Sequence, residues 1–188
     1  MLTDCKLTSE TKNYLTRFYC ILEEMIQGMT SAELTGSISS NFIVQMIPHH
    51  KAAIEMSKNL LEYSCFPPLK QIASGIITEQ TKSIENMKKI LCTCREETNS
   101  DQDLYLYQRR TDQIMQTMFA SMDTAPYTNN INADFMKEMI PHHEGAVEMS
   151  ENALMFCICP ELIPVLEAII TSQKRGIMQM DQLLRCIR

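Results

Sequence analysis

Two pairs of adjacent histidines, His49-His50 and His142-His143, are the side chains of this 188-residue chain best suited to chemistry, and they are all the histidine it has. Each pair closes the same pentapeptide, Met-Ile-Pro-His-His, at Met46 to His50 and at Met139 to His143. The spacing is 142 minus 49, or 93 residues, and the same shift carries Phe42 to Phe135, Ala53 to Ala146, Glu55 to Glu148 and Met56 to Met149. The chain therefore reads as an internal duplication, with repeats of about 1–95 and 96–188 inside a single domain spanning 1–188.

Imidazole flanked by thioether at fixed offsets is soft-metal chemistry. Neutral imidazole and thioether donors suit Cu(I), whereas Ca²⁺ and Mg²⁺ take oxygen ligands. Zinc is the alternative, because imidazole serves it as well. The candidate ligands are His49, His50, His142 and His143, supported by Met46, Met56, Met139 and Met149. On a helix turning about 100° per residue, Met46, His49, His50 and Met56 fall within an arc of about 120°, with Phe42 and Leu60 extending that face and Glu55 opposite it. The imidazoles are thus expected in the middle of a core-facing stripe. A proline inside each helix removes a backbone hydrogen bond and predicts a bend at Pro48 and Pro141.

Other chemistries lack parts. A carboxylate-bridged di-iron site needs several inward glutamates and Glu-x-x-His spacing, which neither motif has. No nucleophilic Ser or Cys accompanies the His pairs as a hydrolase would require, so the chain reads as a non-enzyme. The competing account is a structural or partner-binding helical bundle whose buried His and Gln residues satisfy one another and bind no metal.

The elements that must position these residues are helices, three per half. Periodicity predicts them at about 9–29, 40–64 and 67–91, then 101–122, 133–156 and 160–187. Pro67 and Pro160, again 93 apart, stand where proline is tolerated as a first helical residue, and Ser9, Asn41, Asp101 and Asn132 or Asp134 are N-cap types. The third helix of the first half shows a stripe of Leu69, Ala73, Ile76, Ile84 and Met87, interrupted by one polar residue, Gln80; Gln173 interrupts the matching stripe. A buried amide without partners costs about 1 to 3 kcal/mol, so Gln80 and Gln173 are expected to support the histidines from behind. The fold class is all-α: a ferritin-like four-helix bundle from two repeats, with two shorter helices alongside. Whether the His pairs converge on one site or form two depends on how the halves dock.

Composition narrows the partners. A net charge of -6 argues against nucleic acid, whose binders carry basic surfaces. No stretch of 18 apolar residues and no apolar leader at the amino terminus occur, which excludes a membrane partner and suggests a cytoplasmic protein. Fifteen methionines serve core filling, metal ligation or contact between two copies of the chain. Eight cysteines lack the spacing of a structural zinc site, and they read more as thiols than as a disulfide framework; Cys92, Cys94, Cys157 and Cys159, in two Cys-x-Cys pairs, suggest a peripheral thiolate site.

Phe42, Met46 to His50, Ala53, Met56, then Ile76-Ile77, Gln80 and Met87, with the same series at Phe135, Met139 to His143, Ala146, Met149, Ile169-Ile170, Gln173 and Met180, resemble the family called domain of unknown function 305. The resemblance runs from Asn41 to Ile187 and leaves the first helix of each half as a variable addition. It implies a ferritin-like bundle, a link to copper binding or tolerance in some bacterial members, and a role for the four histidines with Met46, Met56, Met139 and Met149. The family has no assigned reaction. Its glutamate three residues after the glutamine is replaced here by Ser83 in one half and Gly176 in the other, which further weakens hard-metal readings.

Overall fold

The computed structural model describes residues 7–187. Six helices follow one another: α1 (Ser9–Thr30), α2 (Ile38–Tyr63), α3 (Pro67–Glu96), α4 (Asp101–Asp123), α5 (Ile131–Ala153) and α6 (Ile163–Cys186), the last preceded by a 3₁₀ turn at Pro160–Leu162. No strand occurs among the described residues. The fold is all-α, as the periodicity predicts. At 22 and 23 residues, α1 and α4 are shorter than α2 and α3 but match α5.

Side-chain oxygens start four of the helices one to four residues ahead of the expected caps. The amides of Thr11, Ser40, Asp103 and Ala133 donate to the side chains of Thr8, Ser37, Ser100 and Asn130. Asn41 and Asp134 do a different job: their oxygens lie inside the first turn and accept from the amides of Thr35 and Thr128 at 2.7 and 2.9 Å, tying the incoming loop down. Pro67 opens α3 as expected, whereas Pro160 opens the 3₁₀ turn.

The core sits around α2 and α5. Each packs between the helix before it and the helix after it; α2 also meets α5, and α3 meets α6. Both α2 and α5 continue as helix on either side of their prolines. Gly28 of α1 allows a close approach there, since a Cβ at that position would stand 2.8 Å from the Pro48 Cβ.

Contacts recur 93 residues apart, in the flanking helices too. Asn59 and Asn152 donate to the carbonyls of Tyr14 and Tyr107, while Arg17–Glu55 and Arg110–Glu148 pair outside, at 3.4 and 3.7 Å. Tyr14, Ile21, Met25 and Met29 of α1 are buried, as are Tyr107, Ile114, Met118 and Met122 of α4. The first helix of each half is thus part of the repeating frame.

At one end of the bundle Cys94, closing α3, forms a disulfide with Cys159, just ahead of the 3₁₀ turn. Both are buried, whereas Cys92 and Cys157 are exposed free thiols. The expected thiolate site from two Cys-x-Cys pairs is therefore corrected: one member of each pair is spent on a covalent staple between the halves. Cys20, Cys65 and Cys186 are exposed and free, and Cys5 lies outside the described residues.

Candidate metal centre

Consecutive residues on a helix point about 100° apart, so each His pair divides its labour. The first member of each turns toward the other half. His49 and His142 stack where α2 meets α5, ring centroids 3.7 Å apart and planes 32° apart. Each places Nε2 at 3.1 Å from the other's backbone carbonyl oxygen. A carbonyl only accepts, so Nε2 carries the proton in both rings and Nδ1 keeps its lone pair.

The second members turn outward to the third helices. His50 lies 5.8 Å from His49 and sets Nε2 at 3.1 Å from the Ser83 hydroxyl of α3. His143 lies 5.9 Å from His142 and lays its ring edge on Gly176 of α6, where a Cβ would come within 2.8 Å of Cδ2 and 2.9 Å of Nε2. The four rings thus make a row across the bundle in the order His50, His49, His142, His143.

All four are buried, between 0% and 2% exposed. Burial is the main reason that their pKa values fall, because it disfavours the charged ring. His50 is pushed down to about 3 and His142 to about 4, while His49 and His143 go well below the usual imidazole range, helped by repulsion from their neighbours. The row is neutral at physiological pH. In every ring Nδ1 is buried with no hydrogen-bond partner among the described residues.

Met46, Met56, Met139 and Met149 are at most 1% exposed, on the same two helices. Among the described residues no three His, Cys, Asp or Glu side chains form a group able to hold a metal ion. A tetrahedral zinc set of the structural kind is accordingly not assembled. What the interior does offer is neutral ring nitrogens and thioethers, the donor chemistry of Cu(I).

Gln80 and Gln173 are buried, but neither bonds a histidine. Both amide atoms of Gln80 and the Oε1 of Gln173 have no partner among the described residues. The expected supporting role at His50 falls instead to Ser83, three residues further along α3. The two glutamines line a pair of clefts where α3 meets α6: one of about 470 Å³ with His143 and Gly176 in its wall, and one of about 380 Å³ with His50 and Ser83.

One buried carboxyl escaped the sequence reading. Glu138 of α5 is 3% exposed and accepts a 2.5 Å hydrogen bond from Tyr14 Oη of α1. Burial raises its pKa to about 8. The shift of 93 pairs it with Gln45, an inward polar residue at the same place, and that was the available signal. Glu55 and Glu148 do point outward, as expected.

The family model described as Domain of unknown function (DUF305) matches residues 39–184. CopM in its Ag-bound and Cu(II)-bound forms superimposes with a TM-score of 0.60 at 29% and 28% identity, covering 79% and 80% of this chain and 96% and 98% of CopM. A DUF305 fragment from Deinococcus radiodurans, at 24% identity, shares the fold with a TM-score of 0.58 over 80% of this chain and 97% of the fragment. Uncharacterized protein L153 of Acanthamoeba polyphaga mimivirus is 46% identical over 46 residues, 24% of this chain and 30% of that protein.

Proposed function

The chain belongs to the DUF305 family, and from that premise we propose that it binds a soft transition-metal ion, Cu(I) foremost, and sequesters it without catalysing a reaction. The observation that carries this reading is the row of four neutral imidazoles, each with a buried Nδ1 that no group among the described residues satisfies. An unsatisfied buried polar atom costs about 1 to 3 kcal/mol, and a cation that accepts the lone pair removes that cost. His49 and His142 are committed to the tautomer that leaves Nδ1 free to coordinate. His50 and His143, with Met46, Met56, Met139 and Met149, complete the proposed donor set. CopM, solved with silver and with Cu(II), lends support as a similar structure that is covered over 96% and 98% of its length. No helix among the described residues is long and apolar enough to cross a membrane.

A second reading has its own observation. The reciprocal hydrogen bonds of His49 and His142 fasten α2 to α5, which a structural or partner-binding bundle would also use. Anaerobic Cu(I) competition titration, with Zn(II) beside it, separates the two on wild type and on the variant with all four histidines changed to Gln. Tight uptake that is lost in the variant supports sequestration, as does a metal-dependent rise in Tm. Should the variant fail to fold, Met46→Leu with Met139→Leu tests the thioether donors of the proposed set at nearly constant volume. No uptake by wild type leaves the structural bundle as the account.

A further inference from the structure

The two halves repeat the reciprocal contact of His49 and His142, but they part at the outer ring of the row. His50 Nε2 has a hydroxyl partner in Ser83, at 3.1 Å. The matching position, 176, is glycine, and His143 has no hydrogen bond among the described residues. Its Nδ1 is buried and unpartnered, and its ring lies in the wall of the larger α3–α6 cleft with Gln80 and Gln173, whose carbonyl oxygens are also buried and unpartnered among the described residues. Gly176 is required for this: any side chain there would enter the ring, with a Cβ at 2.9 Å from Nε2. The result is a neutral imidazole, 2% exposed, that lines a water-accessible cleft with both glutamines and has no hydrogen bond of its own. His50, 0% exposed, lines the smaller cleft with the same two glutamines, but there the Ser83 hydroxyl engages Nε2.

We propose that the His143 cleft is the docking site through which a soft monovalent cation reaches the histidine row, and that Ser83 closes the equivalent route at His50. The inference rests on the metal-binding reading and makes it asymmetric: His143 takes the first ion and His50 does not. Entry from the α6 side then places the ion beside the ring next to His142, at the head of the row.

The test is titration of the full chain with Ag(I), a redox-stable probe, in chloride-free buffer, followed through the ring-nitrogen resonances of ¹⁵N-labelled histidine. At up to one equivalent the His143 resonances are expected to move while those of His50 stay, and Gly176→Ser is expected to weaken this first binding step at least tenfold. Ser83→Gly is the converse variant: it frees the His50 ring, so that His50 responds alongside His143. Because Gly176→Ser risks the fold, Ser83→Gly decides the matter if that variant does not fold. Simultaneous movement of both rings in wild type, or unchanged first-step affinity in folded Gly176→Ser, overturns the asymmetry while leaving metal binding intact. No Ag(I) binding by wild type overturns the inference together with the reading beneath it.

Discussion

Replacing Glu138 by glutamine is expected to stabilise the fold at neutral pH and to do nothing near pH 4.5. Glu138 is 3% exposed, and burial outweighs the hydrogen bond from Tyr14 to lift its pKa from 4.5 to about 8. The folded chain therefore holds a proton that the unfolded chain releases. With the folded pKa raised, the group's contribution is fully present below 4.5 and is lost as pH rises through 8. At pH 7 the interval above 4.5 is 2.5 pH units, and at about 1.36 kcal/mol per unit the deficit is about 3 kcal/mol. Glutamine carries no such penalty, still accepts from Tyr14 Oη, and already occupies the equivalent position as Gln45. Urea unfolding of wild type and Glu138→Gln across this pH range should show midpoints that coincide at the acid end and separate in the variant's favour above pH 6, with the slope m unchanged. A difference that is the same at every pH, or absent at pH 8, would refute the assignment of a buried, raised carboxyl.

Three further outcomes follow from the same geometry. The histidines titrate with the opposite sign: with folded values near 3 for His50 and 4 for His142 against 6.5 unfolded, their contribution is complete above 6.5 and is lost as pH falls, so at pH 4.5 each costs about 2.7 kcal/mol and His50→Gln should recover about that much in urea midpoints there. Reducing the Cys94–Cys159 disulfide, which closes a loop of 65 residues, should cost about 4 kcal/mol and lower Tm, and alkylation of the native, oxidised chain should label Cys92 and Cys157 but spare Cys94 and Cys159. Gly28→Ala should destabilise by about 1 to 3 kcal/mol in thermal or urea melts, because the new Cβ meets the rigid Pro48 ring, whereas Gly36→Ala, with nothing within 4 Å, should be nearly neutral.

The helices were legible because each carries a long apolar stripe of the right period, as in the buried run Leu69, Ala73, Ile76, Ile84 and Met87. Their first residues were less so. Asn41 looks like a cap by type, but capping and loop-tying use the same acceptor oxygen, and only the path of the preceding chain decides that Asn41 receives Thr35. The histidine face was legible from 100° turns, yet the stacking of His49 on His142 depends on how two halves dock, which no single-helix periodicity encodes. Gln80 shows the limit in another way: its burial was readable, but Ser83 reaches His50 with a shorter side chain from the next turn. The Cys94–Cys159 bridge joins residues whose proximity likewise arises only from the docking of the halves.

Matched positions that stayed identical and those that diverged differ in what they touch. His49 and His142 donate to each other's main-chain carbonyls, and Asn59 and Asn152 donate to main-chain carbonyls on the first helix of their own half. Such a partner has a fixed chemistry and a position set by the fold, so a side chain without a donor there loses the bond that ties two helices together. Asn41 and Asp134 differ in name but present the same kind of acceptor oxygen to a backbone amide. Gln45 against Glu138, and Ser83 against Gly176, are different in kind: they face side chains, Tyr14 for Glu138, the His50 ring for Ser83 and the His143 ring for Gly176. A side-chain partner can tilt, retain a proton or open toward a cleft, and a change there alters local chemistry without unpairing the backbone. The frame of the duplication is thereby held symmetric by main-chain hydrogen bonds, while the freedom to make one histidine unlike its twin is confined to the turns of α3 and α6 that touch the outer rings.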